Sequence, residues 1–305
     1  MPIIKKEDVT PERPVVIVLY GVPGSGKTSI ATTAENPIII DTDRGYDRAV
    51  QRVDTLTAQK WQDIDSERET IKQYKTVVID TAKAMLDDYL SAYVIEQNYK
   101  MKNNALKRFG QMADEFQQFV NFLRSNGSDI IFICHDKETQ EGDVIKHAPS
   151  CTGQSKDLLI RIADQVGYVS IQNKQRVITF DPLDNYVGKN VAQLGTIAIP
   201  NAPSKEFDTC MADIIKQVKT AIQSKSEAQR KAKEQLEGLR GKVAEVETLE
   251  DIDTILDLSK ELPPVMKAPF FSELKATLKT KGFSFDSKAK KFVKDEQAAD
   301  SSNPA

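Results

Sequence analysis

Residues 15–29 read VVIVLYGVPGSGKTS, and this stretch decides the fold class. Six consecutive apolar residues, Val15 to Tyr20, are too few for a buried helix and are rich in β-branched types, so they predict a strand covered on both faces. The glycine-rich turn behind it is a full GxxxxGK[ST] match running from Gly21 to Thr28. In the loop of Gly21, Val22, Pro23, Gly24, Ser25 and Gly26 the glycines let the backbone curl so that successive N–H groups face a β-phosphate. Lys27 supplies a point charge to the β- and γ-phosphates, and the Thr28 hydroxyl is placed to ligate Mg²⁺. A helix beginning near Lys27 and including Ser29, KTSIATTAE, adds the positive end of its dipole. Strand, glycine loop and helix in that order make nucleotide binding the expected chemistry.

Working outward, three further apolar runs read as strands: PIIID (37–41), TVVID (76–80) and DIIFICH (129–135). Residues 82–125 read as helical, with Leu106, Phe109, Met112, Phe116, Phe119 and Leu123 spaced three and four apart. Continuous apolar strands alternating with amphipathic helices predict an α/β fold, a mostly parallel sheet covered by helices. Asp80 ends its strand where a carboxylate could hold the metal through water; the competing reading is a helix N-cap. Thr81, not a glutamate, follows it, so a water-activating residue must be sought elsewhere. Asp43, two residues past the second strand, could orient the attacking water, or could pair with Arg44 or Arg48 as a loop carboxylate. His135 ends the fourth strand, where it could sense the γ-phosphate, or cap the following loop.

Composition shifts near Ser224. Residues 1–222 are expected to form the P-loop core, 223–295 a small, mainly helical module, and 296–305 a polar, disordered tail. Leu236, Leu239, Val243 and Val246 make a narrow helical stripe, suited to packing on another helix or docking a partner. Thr248 and Asp251 resemble a capping box. Pro263-Pro264 stops that second helix, and GFSFDSKAKKF (282–292) resembles a hairpin. No internal repeat is found.

The 305 residues carry a net charge of −3, with 40% hydrophobic and 29% charged residues, the balance of a globular chain without a global basic field. The longest strongly apolar run is six residues, against about 20 for a membrane span, and the N-terminus, MPIIKKED, lacks a secretory core. Cys134, Cys151 and Cys210 share no metal-like spacing and read as reduced thiols of a cytosolic protein. His135 and His147 are too few for a histidine-based metal site, so a catalytic zinc is not expected.

In order along the chain, GVPGSGKTS, IIIDTDRG, YKTVVIDT, FGQMADEF, IIFICHDKE and LLIRIADQVGYV resemble the phage P-loop ATPases with a reduced RecA-like core. Within them they are most similar to the Sak-four group of phage single-strand annealing proteins. The resemblance spans roughly residues 13–200. It implies ATP with Mg²⁺ as cofactors, and action on single-stranded DNA in recombination, alongside a single-strand-binding protein. It also implies a homo-oligomer in the cytoplasm of a bacterial host, with no membrane partner. The phosphate loop carries over to Gly21–Thr28, the metal-holding acid to Asp80 and the strand-end sensor to His135. Residues 136–153 fall where RecA-like proteins keep a DNA-contacting loop. No residue is matched to a RecA-type catalytic glutamate. Arg161, Lys174, Arg176 and Lys189, which could act across a subunit interface, are unranked.

Two segments mix positive charge with aromatics in the manner of single-strand binders. One is residues 99–109, YKMKNNALKRF. The other surrounds Phe283, Phe285 and Phe292 with Lys279, Lys281, Lys288, Lys290, Lys291 and Lys294; the competing reading of both is a solvated basic surface, with these phenylalanines forming the small module's core. A replication accessory ATPase such as a helicase loader, a small-molecule phosphotransferase and a nucleotide sensor without strong hydrolysis are the competing functions. The phosphotransferase fares worst, because residues 136–160 contain no arginine for a lid.

Overall fold

The structure, a computed structural model, describes residues 12–45, 47, 49–287 and 289–294, with only the backbone at 225, 226, 228, 229 and 265. Arg48, Lys288, the N-terminal MPIIKKED and the expected disordered tail lie outside the described residues.

Strand β1 (Val16–Gly21) leads into α1 (Lys27–Ala31), β2 (Pro37–Asp41), β3 (Asp54–Thr57), α2 (Trp61–Ser66), α3 (Arg68–Ile71) and β4 (Thr76–Asp80). A π-helical stretch (Ala84–Leu90) continues into α4 (Ser91–Gln97), a 3-10 stretch (Tyr99–Asn103) and α5 (Ala105–Ser125). Next come β5 (Asp129–Glu141), β6 (Val144–Pro149), α6 (Gly153–Ile162), β7 (Gln165–Gln172), β8 (Gln175–Thr179), β9 (Lys189–Asn190), β10 (Ile197–Ala198) and α7 (Lys205–Asp208). The remainder is α8 (Cys210–Ala244), α9 (Leu249–Ser259), α10 (Pro264–Thr280), β11 (Phe283–Asp286) and β12 (Lys291–Lys294).

The chain divides into two compact units, the first Pro11–Gln223 and the second from Ser224 onward, so the division falls inside α8. In the first unit the strand order is β10-β8-β7-β1-β5-β4-β2-β3. The six strands from β7 to β3 are mutually parallel, and β8 and β10 add antiparallel at one edge. Side chains alternate along each strand, so Val16, Val18 and Tyr20 face one helical layer with Phe116, Phe119 and Leu158. Ile17 and Leu19 face the other, with Ile30, Met211 and Ile214. Both faces are dry, which is why the strands read as unbroken apolar runs.

The helical reading of 82–125 needs correction in detail. Asn98 and Asn104 cap the segments that follow them, each side chain accepting a backbone N–H two or three residues on, and so break one long helix into several. Leu106, assigned to the apolar stripe, is 73% exposed because it falls in the first turn of α5, ahead of the buried run from Met112 to Leu123. Helix α1 covers five residues rather than nine. The strand from Asp129 does not stop at His135. It runs to Glu141 and turns back through β6 as a ribbon, so residues 136–149 are a hairpin and not a loop.

The second unit has its own core. Leu239, Val243 and Val246 are buried with Ile252, Ile255, Phe270, Leu274 and Leu278, and Thr248 with Asp251 forms a capping box at the start of α9. The helical stripe is therefore consumed inside this unit and is not a free docking face. Strands β11 and β12 pair antiparallel. Phe283 and Phe292 are buried, and Phe285 meets Phe271 and Phe292 edge-on at 5.2 and 5.1 Å. These rings are spent on packing, so of the two readings of this cluster the structure supports the phenylalanines as core residues.

Candidate functional site

Register brings the polar residues together. Gly21 of β1 is the partner of His135 on β5, Asp80 of β4 pairs with Ile133, and Asp41 of β2 pairs with Asp80. All are at carboxyl ends of parallel strands, the rim where open α/β sheets bind ligands. Strand β5 lies between β1 and β4, so His135 stands between the phosphate loop and Asp80. A cleft of about 290 Å³ opens there, lined by Pro23, Gly24, Gly26, Lys27, Thr28, Ser29, Asp43, Asp80, His135 and Arg176 among others.

The loop is shaped by backbone that only glycine adopts freely: Gly24 and Gly26 have φ of 78° and 93°. Gly21 answers a different need, since a Cβ there would lie 2.3 Å from the Val169 carbonyl oxygen. Gly21, Val22 and Ser25 do not line the cleft. They hold Lys27 instead, whose Nζ donates to the Gly21 and Val22 carbonyls at 2.9 Å and to Ser25 Oγ at 3.3 Å. Burial lowers the Lys27 pKa, opposed mainly by Asp80. Helix α1 is only five residues long, and Lys27 is the charged group that the loop brings to the cleft. Ser29 lines the cleft while its Oγ accepts from the Val50 N–H at 3.2 Å.

Thr28 Oγ1 donates to Asp80 Oδ2 at 2.6 Å. A hydroxyl and a carboxylate held together at the cleft are a donor set that fits Mg²⁺, an oxygen-seeking cation. Burial raises the Asp80 pKa, with the Thr28 hydrogen bond pulling the other way. The N-cap alternative for Asp80 gets no hydrogen bond: Thr81 Oγ1, and not Asp80, accepts from the Ala84 N–H.

Asp43 is set by its neighbour. Buried Asp41 accepts through Oδ1 from the Asp43 and Gly45 N–H groups at 3.1 and 3.2 Å, folding the loop back over the strand end. Asp43 Oδ2 then lies 3.7 Å from His135 Nε2, while the buried His135 Nδ1 has no hydrogen-bond partner among the described residues. The two residues read separately in the sequence are thus one pair, lining the same cleft as Thr28 and Asp80.

Arg176 is the residue whose place the sequence left open. Asn173 and Lys174, both at positive φ, make the tight turn between β7 and β8. The resulting register pairs Arg176 with Ile171 at the rim. Its Nε comes within 3.4 Å of where a Gly26 side chain would begin, so it belongs to its own chain's cleft. Of the other cations, Lys189 is tied to the Ile160 and Arg161 carbonyls at 3.0 and 3.1 Å, and Arg161 and Lys174 are exposed.

The 99–109 segment is mostly solvent-exposed, with Tyr99 at 70% and the Lys102 ammonium 5.4 Å from its ring centroid. The β5–β6 ribbon is different: between residues 136 and 147 it carries four carboxylates (Asp136, Glu138, Glu141, Asp143) against two lysines, a poor match for nucleic-acid phosphates. No helix among the described residues is long and apolar enough to cross a membrane.

No curated protein matches the chain. Among solved structures similar to it is the RadB recombinase, at 18% identity and a TM-score of 0.36, covering 55% of this chain and 81% of that one. A family model described as an AAA domain matches residues 13–191, from the strand before the phosphate loop to β9, and on that match the chain belongs to the AAA_24 family of AAA domains.

Proposed function

We propose that the protein binds ATP with Mg²⁺ and uses it in a single-stranded DNA transaction, annealing or recombination, as a phage-encoded oligomer in the cytoplasm of a bacterial host. The observation that carries the nucleotide half is the convergence of Lys27, the Thr28–Asp80 pair and the Asp43–His135 pair on one cleft. Lys27 would neutralise the β- and γ-phosphates, and Thr28 with Asp80 would hold the cation, which when bound draws charge from the phosphate oxygens. Asp43 and His135, which line the same cleft, suit an attacking water and the γ-phosphate. Arg176 enters from the β7–β8 side of β1, opposite Asp80, which suits the base-proximal part of the nucleotide.

The DNA half rests on the resemblance to phage annealing proteins, with support from the exposed basic and aromatic surface at 99–109. Such contacts make binding salt-sensitive, because phosphates release counterions when neutralised. A single-strand-binding protein is the expected companion. One observation favours a second reading, a nucleotide sensor or loader with weak hydrolysis: among the described residues, no glutamate lines the cleft. ATP turnover with and without single-stranded DNA separates the two, with Lys27→Ala as control. DNA stimulation that disappears in Lys27→Ala is the expected result; nucleotide binding without stimulation would transfer the case to the sensor.

A further inference from the structure

Outside the nucleotide cleft, the base of the β5–β6 ribbon gathers three metal-ligating side chains. Asp136 and Glu138 are two apart on β5 and so project from one face of the ribbon. In the antiparallel register Glu138 is the direct partner of His147, and Asp136 of Pro149, which puts His147 across from one carboxylate and diagonal to the other. One ligand atom from each of Asp136, Glu138 and His147 lies within 4.8 Å of the other two.

The site is held from behind. The Asp136 side chain is 3% exposed; Oδ2 is 2.5 Å from His147 Nδ1, and Oδ1 is buried with no hydrogen-bond partner among the described residues. The His147 backbone is fixed on both sides, its N–H donating to the Asn185 carbonyl at 2.8 Å and its carbonyl accepting from Val187 at 3.0 Å. The Tyr168 ring lies 5.1 Å from the imidazole, with Tyr186 stacked behind it at 5.3 Å. Two carboxylates beside a single imidazole leave excess negative charge, partly buried, on an already acidic ribbon.

We propose that Asp136, Glu138 and His147 form a site for a borderline divalent cation of the Zn²⁺ class, which clips the base of the ribbon one residue beyond His135. Two oxygens and an imidazole nitrogen fit such an ion better than Mg²⁺ or Ca²⁺, and three protein ligands leave a fourth position for water. The count of two histidines excludes a histidine-based site, not one built mainly from carboxylates. The ion takes the place of the proton shared by Asp136 Oδ2 and His147 Nδ1, which move apart to ligating distance, and Glu138, the exposed member, closes on it. The inference does not depend on what the cleft binds.

The test is titration of the untagged, nucleotide-free full chain with Zn²⁺ by calorimetry, and with Co²⁺ by visible absorption. One equivalent bound, with a cobalt spectrum lacking a thiolate charge-transfer band, is expected. Glu138→Gln removes a ligand without touching the Asp136–His147 contact, and should weaken binding by more than about ten-fold, since even outer-shell partners cost that much. Thr28→Ala combined with Asp80→Asn should leave the affinity unchanged. Binding that is absent, carries a thiolate band, survives Glu138→Gln or is lost with Thr28 and Asp80 would overturn the proposal.

Discussion

The central parallel strands β7, β1, β5 and β4 carry charged groups at both rims of the sheet, and the two rims are wired differently. At the amino ends each buried carboxylate is used up. Asp129 accepts from the Val15 N–H and the Lys219 ammonium, both at 2.9 Å. Asp164 accepts from the Val16 N–H at 3.0 Å and from the Arg13 guanidinium. At the carboxyl ends, Lys27 is pulled below its usual pKa and Asp80 pushed above its own by burial, and His135 Nδ1 lacks a partner among the described residues. The same sheet thus closes its charges at one rim, where they hold the fold, and leaves binding capacity at the other. A site is recognised less by how many charges it has than by how many remain uncompensated.

The largest effect is expected at the closed rim. Lys219→Met strands Asp129 as a buried charge and should cost about 3–5 kcal/mol in urea unfolding, with nucleotide affinity of the folded fraction intact. A loss under about 1 kcal/mol would break the contrast between the rims. Next is Lys27→Ala at the open rim. Losing one charge-assisted contact of about 1.5–3 kcal/mol should weaken ATP and ADP binding by roughly 10–100-fold, without loss of thermal stability, because a desolvated ammonium is removed. Arg176→Ala should cost about 1 kcal/mol, roughly five-fold, in ATP and ADP affinity alike. If only ATP is affected, Arg176 reaches the γ-phosphate and its assignment to the base-proximal side fails.

The smallest effect concerns pH. The folded Asp80 carboxyl titrates above its ordinary 3.8, so the folded state holds its proton more tightly than the unfolded one. Stability from this group is therefore lost as pH rises from 3.8 through the folded value, the reverse of a salt-bridged aspartate. Asp80→Asn, measured without Mg²⁺, should melt slightly higher than the parent at pH 7, and the advantage should vanish as pH falls towards 3.8. An advantage independent of pH would show that the burial penalty is not electrostatic.

The phosphate loop, the parallel sheet and the four strands at its centre were legible because each is written locally: a strict spacing of glycines, a lysine and a threonine, and apolar runs that only a doubly covered sheet requires. The candidate residues Lys27, Thr28, Asp43, Asp80 and His135 could be named for the same reason, as strand-end or loop positions next to such runs. Their pairing could not. Asp43 meets His135, and Asp136 meets His147, through parallel register or a hairpin that no short stretch specifies. Leu106 and the phenylalanines near residue 285 show the limit from the other side, since spacing and composition give a residue's type and period, not which face a neighbour covers. Arg176 had no local mark at all; a two-residue turn and the register of β8 carry it to Gly26. The sequence alone determined the class of fold and the chemistry of the loop, because those follow from near neighbours. Which charges are closed and which stay open was decided only by tertiary structure, because compensation is a matter of distance in space between residues as far apart as Asp129 and Lys219.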